Sequence, residues 1–237
     1  MLCSFVIPAY NASETIVRCL DSIYNLPLVE SDFEVIIIDD CSMDNTIAII
    51  KEYSKNHSNI TLLSQSENHR QGAARNRGVD CAKAEYIVFV DSDDESDCGV
   101  VDALNLAKEY NLDIAVMNYV NVDDKGNISE KEPIKLDGIF SGIDLQTKQP
   151  YWNSAPWPYV CKKSFLDESN YPFVEDVLYE DSDFVAVHLY YAKRMMYSPK
   201  VGYKVHYNAT STTHTTSFKH VSDYFLLGTR MLKFYSM

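Results

Sequence analysis

Basic residues are scarce in this chain: 21 Lys and Arg stand against 34 Asp and Glu, a net charge of −13 over 237 residues. That balance argues against a broad nucleic-acid footprint, which needs clustered cations to displace counterions, and against non-specific adhesion to an anionic membrane. The six cysteines, Cys3, Cys19, Cys41, Cys81, Cys98 and Cys161, form no Cys-x-x-Cys pair. Several lie in apolar periodic segments where Cys acts as a small hydrophobe, so no disulfide framework or thiolate metal site is expected and the compartment reads as reducing. Long apolar runs are missing too. Met1 to Ile7 lacks a basic leading segment and Pro8 stops it short of a secretion signal or membrane span, which favours a soluble cytoplasmic protein. No Gly-x-Gly-x-x-Gly turn follows the first apolar run, which excludes a hydride-transferring Rossmann enzyme, and there is no Walker loop and no internal repeat.

With 46% hydrophobic and 23% charged residues, the chain can bury a sizeable core as one large globular domain, or one with a small appendage. Its first half alternates short apolar runs with amphipathic stretches, the pattern of βαβ units around a mostly parallel sheet. Strands are expected at Leu2 to Ile7, Glu34 to Ile38, Asn59 to Leu63 and Tyr86 to Val90. Between them come a helix capped by Ser13, a helix capped by Asp44, and a Gly- and Arg-containing stretch from Asn68 to Gly78 that runs into a third. A weaker helical face at Val101, Leu104 and Ala107, a strand from Asp113 to Val120 and a turn at Asp123 to Asn127 follow. Residues 129 to 160 lose periodicity and read as a loop-dominated region. Regular structure returns with a helix over Glu180 to Arg194 and a strand from Val201 to Tyr207. The chain stops inside an apparent amphipathic helix, Ser222 to Tyr235, which suggests a lost tail.

Three strands end in polar residues: Pro8-Ala9-Tyr10-Asn11, Asp39-Asp40 and Asp91-Ser92-Asp93-Asp94. Open α/β sheets bind ligands outside the carboxyl ends of their strands. Side by side, these ends make a pocket with an aromatic ring and a concentration of carboxylates that is costly without a cation. Such an oxygen-rich set suits Mg²⁺ or Mn²⁺, with substrate phosphates completing the shell. The same residue types also serve as helix caps and turn residues, and a single Asp-x-Asp in an acidic protein carries little weight alone. A phospho-accepting receiver module likewise clusters Asp at strand ends around Mg²⁺, but it would fill only about half of this length. A sugar-phosphate nucleotidyltransferase should open with a Gly-rich, Arg-bearing loop after its first strand to hold a triphosphate.

Val6-Ile7-Pro8-Ala9-Tyr10-Asn11, Ile38-Asp39-Asp40-Cys41-Ser42-Met43-Asp44, Ala74-Arg75-Asn76-Arg77-Gly78, Glu85 to Asp94, and Tyr179-Glu180-Asp181 together resemble, in order and spacing, the signatures of family 2 glycosyltransferases. The resemblance runs to about residue 205. It implies the GT-A fold, an α/β Rossmann-like mixed, mostly parallel sheet flanked by helices with an irregular second half. Residues 1–120 would bind the nucleotide sugar, and 121–237 would supply the acceptor surface and the catalytic base. Pro8, Tyr10, Asn11, Asp39, Asp40, Arg75, Asp91 and Ser92 would line the nucleotide sugar. Tyr10 would stack on the base and Asp40, with Asp39, would accept an imide N–H of uracil. Asp91, Asp93 and Asp94 would hold Mn²⁺ or Mg²⁺ on the diphosphate, with His206 or His214 completing the shell. Asp181 would deprotonate an acceptor hydroxyl for inverting attack, unless it only complements the helix dipole. The implied activity is metal-dependent transfer from a nucleoside-diphosphate sugar, UDP by preference, to a saccharide or lipid-linked saccharide in polysaccharide or glycolipid synthesis. Peripheral association with the inner face of a membrane would then accompany a cytoplasmic location. Two positions depart from the pattern. Cys41 stands where such enzymes usually have Gly, and Trp157-Pro158-Tyr159 replaces Trp-Asn-Lys. Trp152 and Trp157 are the rings singled out to stack on sugar faces.

Overall fold

The computed structural model describes residues 1–130, 134–149, 152–208 and 217–236. Strand β1 (Cys3–Ala9), helix α1 (Ile16–Tyr24), β2 (Phe33–Asp39), α2 (Thr46–Tyr53), β3 (Ile60–Ser64), α3 (Arg70–Cys81) and β4 (Tyr86–Phe89) follow in the expected alternation. Then come β5 (Glu95–Ser96), α4 (Gly99–Glu109), β6 (Ile114–Val122), β7 (Ile128–Glu130), α5 (Gly142–Lys148), β8 (Tyr159–Lys162), α6 (Lys163–Ser169), α7 (Glu180–Tyr191), β9 (Met195–His206) and α8 (Phe218–Tyr235). They build one nine-stranded sheet in the order β3-β2-β1-β4-β8-β6-β9-β5, with β7 paired to β6. The β3 to β4 half is parallel, β8 runs antiparallel to both β4 and β6, and β6 and β9 are parallel.

Strands β1, β2 and β4 are buried along their whole length, which is why they read as continuous apolar runs and not as alternating ones. Phe5, Ile7, Val35 and Ile37 face one core with Ile16, Leu20 and Ile23 of α1 and Leu104 of α4. Val6, Ile36 and Ile38 face the other, with Ala74 of α3, Leu145 of α5 and Phe184, Val185 and Leu189 of α7. The result is a sheet between two helical layers. On the second face α3 comes very close: a Cβ on Gly78 would stand 2.3 Å from Val6 Cγ1.

Several local expectations change. Ser13 does not cap α1. Its N–H bonds Asp44, and Thr15 takes the position before the helix. Asp44 does serve the start of α2, accepting the Thr46 N–H at 3.0 Å. Among the described residues the segment 129 to 160 is largely irregular, as expected, but it contains α5 and runs into β8, which lies inside the sheet. Four strand residues and a seven-residue helix are too short to show a period. α5 instead announces itself through a capping box between Ser141 and Asp144. Trp157 is accordingly a core residue. Its ring is 7% exposed and stacks on Tyr203 at 4.6 Å, so it is not a sugar platform. Trp152 packs against the second core.

Candidate active site

Strands β1 and β2 pair in register from Cys3 opposite Phe33 to Ala9 opposite Asp39, but β4 follows β1 only as far as Val6 opposite Phe89. The carboxyl ends of β1 and β4 therefore part. Val6 accepts from Val90 on the β4 side and Ala9 from Asp40 on the β2 side, so Pro8 faces the β4 side, where no ladder partner needs its missing N–H. This gap lies between the strands whose connecting helices cover opposite faces, the switch point where such sheets take ligands.

Around the gap, Tyr10 follows β1 with its ring 49% exposed. Asn11 adopts φ 49°, bonds Ser42 Oγ through its N–H and accepts Met43 N–H at 2.8 Å, tying the ends of β1 and β2 together. Asp39 is fully buried. One oxygen accepts Ser42 N–H at 3.1 Å, and the other, Oδ1, has no partner among the described residues. Asp40 accepts Gln65 Nε2 at 2.7 Å and His69 N–H at 2.8 Å, and burial raises its pKa despite these bonds. Cys41 follows with φ 66°, so the turn that favours Gly is made here by a strained L-residue.

Arg75, expected near the nucleotide, is buried between α3, the end of β4 and the start of α7. It is 2% exposed and its guanidinium bonds Asp91 Oδ1 at 2.7 Å, Glu180 Oε1 at 2.7 Å and Gln71 at 3.1 Å. Burial alone would lower its pKa, but Asp91 and Glu180 raise it on balance, so the cation is fixed. The next residue, Asn76, holds the Phe173 backbone with its side-chain amide, Nδ2 donating to Phe173 O and Oδ1 accepting Phe173 N–H. Through these contacts α3 sets the approach to α7.

The acidic cluster divides. Asp91 keeps one oxygen on Arg75, and its own N–H bonds Tyr203 Oη at 2.9 Å. Ser92 and Asp93 are half-buried beside it. Asp93 accepts Asn208 Nδ2 at 2.8 Å, and burial, then the charge of Asp91, raises its pKa. Asp94 turns inward. It is 4% exposed and accepts Tyr203 Oη at 3.0 Å and His206 N–H at 2.8 Å on different oxygens, and burial with Asp91 and Asp93 pushes its pKa up to about 8. His206 Nε2 rests 2.8 Å from Glu95. His214 lies outside the described residues.

Among the described residues no group of three or more His, Cys, Asp or Glu side chains is arranged to hold a metal ion. The donor set that the geometry offers is Asp91 and Asp93, and burial first and the Asp91 charge second raise the Asp93 pKa. Such a pair fits a hard divalent ion completed by substrate phosphate and water, as Mg²⁺ is usually bound, and not a closed protein cage.

Asp181 stands partly exposed in the first turn of α7, directly after Glu180. Burial raises its pKa against the pull of Arg75, and Oδ1 accepts Ser182 N–H at 2.8 Å. In the sequence, Glu180 has no role of its own. The structure makes it the partner of Arg75, and the one sequence signal for that is its place in Tyr179-Glu180-Asp181. Tyr203 and Asn208, which reach the acidic cluster from the end of β9 and just beyond, carried no signal at all.

Comparison with known proteins decides the lineage, since the model of glycosyl transferase family 2 matches residues 4–167. The chain belongs to that family. It is 28% identical over 218 residues to an uncharacterized glycosyltransferase, YibD, of Escherichia coli (strain K12), covering 89% of this chain and 62% of the relative. It is 36% identical over 128 residues to the poly(ribitol-phosphate) beta-glucosyltransferase of Bacillus spizizenii, covering 53% of this chain and 20% of that protein. The chain thus spans less than two thirds of the length of either family member. The crystal structure of S. aureus TarS 1-349 in complex with UDP-GlcNAc superposes with a TM-score of 0.83 at 22% identity, covering 98% of this chain and 67% of TarS 1-349. That likeness establishes the family's GT-A fold, a mixed, mostly parallel sheet flanked by helices.

Proposed function

We propose that this chain transfers a sugar from a UDP-sugar to an acceptor hydroxyl with inversion, in a reaction that depends on Mn²⁺ or Mg²⁺. The observation that carries the reading is the path Asp91–Arg75–Glu180, two bonds of 2.7 Å that join the acidic cluster and the Asp181 helix through one guanidinium. Residues 1–120 serve the donor and 121–237 the acceptor. Tyr10, exposed at the end of β1, stacks on the uracil. The desolvated Asp40 favours an imide N–H there, with the buried Asp39 holding the Ser42 N–H. Pro8, Asn11 and Ser92 shape the wall. UDP-GlcNAc bound to a protein of the same fold supports the uridine choice.

Asp91 and Asp93 would hold the divalent ion, with the inward-turned Asp94 fixing their loop. When bound, the ion stabilises the charge that grows on the departing diphosphate. Asp181, its pKa raised by burial, takes the proton of the attacking hydroxyl. The helix-dipole role alone would leave no reason for a desolvated carboxylate at the pocket. The acceptor is a saccharide or polyol chain, as the poly(ribitol-phosphate) relative suggests, or a lipid-linked saccharide met in the cytoplasm or at the inner face of a membrane. No helix among the described residues is long and apolar enough to cross a membrane.

Calorimetry with UDP is the test, together with UDP release from a panel of UDP-sugars offered with water or short saccharides as acceptor. Binding should require Mn²⁺ or Mg²⁺. Indifference to every nucleoside diphosphate with and without metal would sink the reading, and turnover of a nucleoside triphosphate with a sugar phosphate would replace it by nucleotidyl transfer.

A further inference from the structure

Glu180 opens α7 with its carboxylate buried, 5% exposed, and fixed 2.7 Å from Arg75 Nη1. Gly72 of α3 makes room for it: a Cβ there would stand 3.1 Å from Glu180 Cγ and 2.4 Å from Val174 O. Arg75 Nη2 bonds Asp91 Oδ1 in turn, so one guanidinium joins the end of β4 to the first turn of α7. Ahead of Glu180, Tyr179 is held at φ 65°, a conformation that an L-residue keeps only when its surroundings enforce it. The carboxylate after the strained residue is therefore anchored, and the one after that is Asp181.

A buried ion pair is a weak device for stability, because desolvation offsets most of the attraction. What a bidentate-capable guanidinium supplies is fixed geometry. We infer that Glu180 is a positioning residue: through Arg75 it ties the orientation of Asp181 to Asp91. The inference rests on reading Asp181 as the base. Donor contacts at Asp91 and proton removal at Asp181 are then aligned by one rigid link, and the link touches neither substrate. A displacement of about 1 Å at a reacting group can cost on the order of 100-fold in rate, so loosening this link should appear in kcat.

The experiment follows UDP release from the UDP-sugar that the donor panel selects, with UDP affinity measured by calorimetry in Mn²⁺. Glu180→Gln keeps the shape and removes the charge. It should lower kcat about 10- to 100-fold, in keeping with a small displacement of the base, and leave donor KM and UDP Kd within about threefold. Combined with Asp181→Asn it should lower kcat no further than Asp181→Asn alone, because Glu180 acts only through Asp181. If Glu180→Gln does not fold, Glu180→Asp, which keeps the charge but falls short of Arg75, should show the same loss of kcat. Wild-type kcat in the folded variant overturns the inference. So does a proportional loss of UDP affinity, or a further drop in the double variant. An inactive Asp181→Asn beside a fully active Glu180→Gln sinks this inference alone, whereas an active Asp181→Asn sinks the base assignment beneath it.

Discussion

Cys41 holds φ 66°, which costs an L-residue about 1–2 kcal/mol, and its thiol gains only a long contact of 3.6 Å to Ser66 O. Glycine removes the strain and gives back about 0.5–1 kcal/mol through the freer unfolded chain. Cys41→Gly should therefore stabilise the protein by about 0.5–1 kcal/mol in denaturant unfolding and leave UDP affinity unchanged; destabilisation would mean that the Cys41 side chain holds the turn. Asp181→Asn is the companion test at the pocket. It keeps the hydrogen-bonding shape but cannot take a proton, so turnover should fall about 10²- to 10⁴-fold while UDP Kd stays within about threefold. These positions also show what could be read from sequence. Tyr10, Asp40, Asp91 and Asp181 are legible because each ends a strand or opens a helix, where backbone alone sets their place. Asp93 and Asp94 look alike in sequence and diverge in the fold. One meets Asn208 and the other Tyr203 and His206, all supplied by a segment more than a hundred residues away.

Helix α3 approaches β1 through Gly78, whose missing side chain leaves space for Val6. A methyl group there adds about 1 kcal/mol of helix propensity, but it must push α3 off the sheet, an overpacking cost of about 1–3 kcal/mol. Gly78→Ala should destabilise by up to about 2 kcal/mol in denaturant unfolding, and it should lower UDP affinity, since α3 carries Arg75; unchanged stability and affinity would show that the contact yields. Helix α7 offers a pH test. His188 is buried against Phe184 O at 2.7 Å and Ser169 Oγ at 2.8 Å, and burial lowers its pKa to about 4. A histidine depressed in the fold contributes stability that is complete above its unfolded value of about 6.5 and lost as pH falls toward 4, at most roughly 3 kcal/mol. The stability difference between wild type and His188→Gln should shrink by that order between pH 7 and 4, and a difference constant with pH would contradict it. The long helix α7 was legible by period. β8 was not, because the neighbours on either side of it, β4 and β6, define it as a strand and not its four residues.

The sheet is continuous from β3 to β5, and β8 closes it by pairing with both β4 and β6. The parallel half is legible in the sequence because its connections are local, and this closure is not, because its partners are far apart in the chain. A single sheet with two shared cores should unfold in one step, so whatever binds at the β1–β4 gap stabilises the entire molecule. Ligand at about 100 times its Kd adds about 2.7 kcal/mol, worth roughly 5–10 °C in Tm for a chain of this size. UDP with Mn²⁺ should give a shift of that order in one transition, and either component alone should give much less, because Asp91 and Asp93 repel an anion that arrives without the cation. Asp93→Asn should abolish the metal-dependent part of the shift. It should leave the Tm of the unliganded protein equal or higher, since it removes a carboxylate whose pKa burial and Asp91 already raise. Differential scanning calorimetry reads both: a full shift by UDP without metal, or one that survives Asp93→Asn, would move the ion away from this pair.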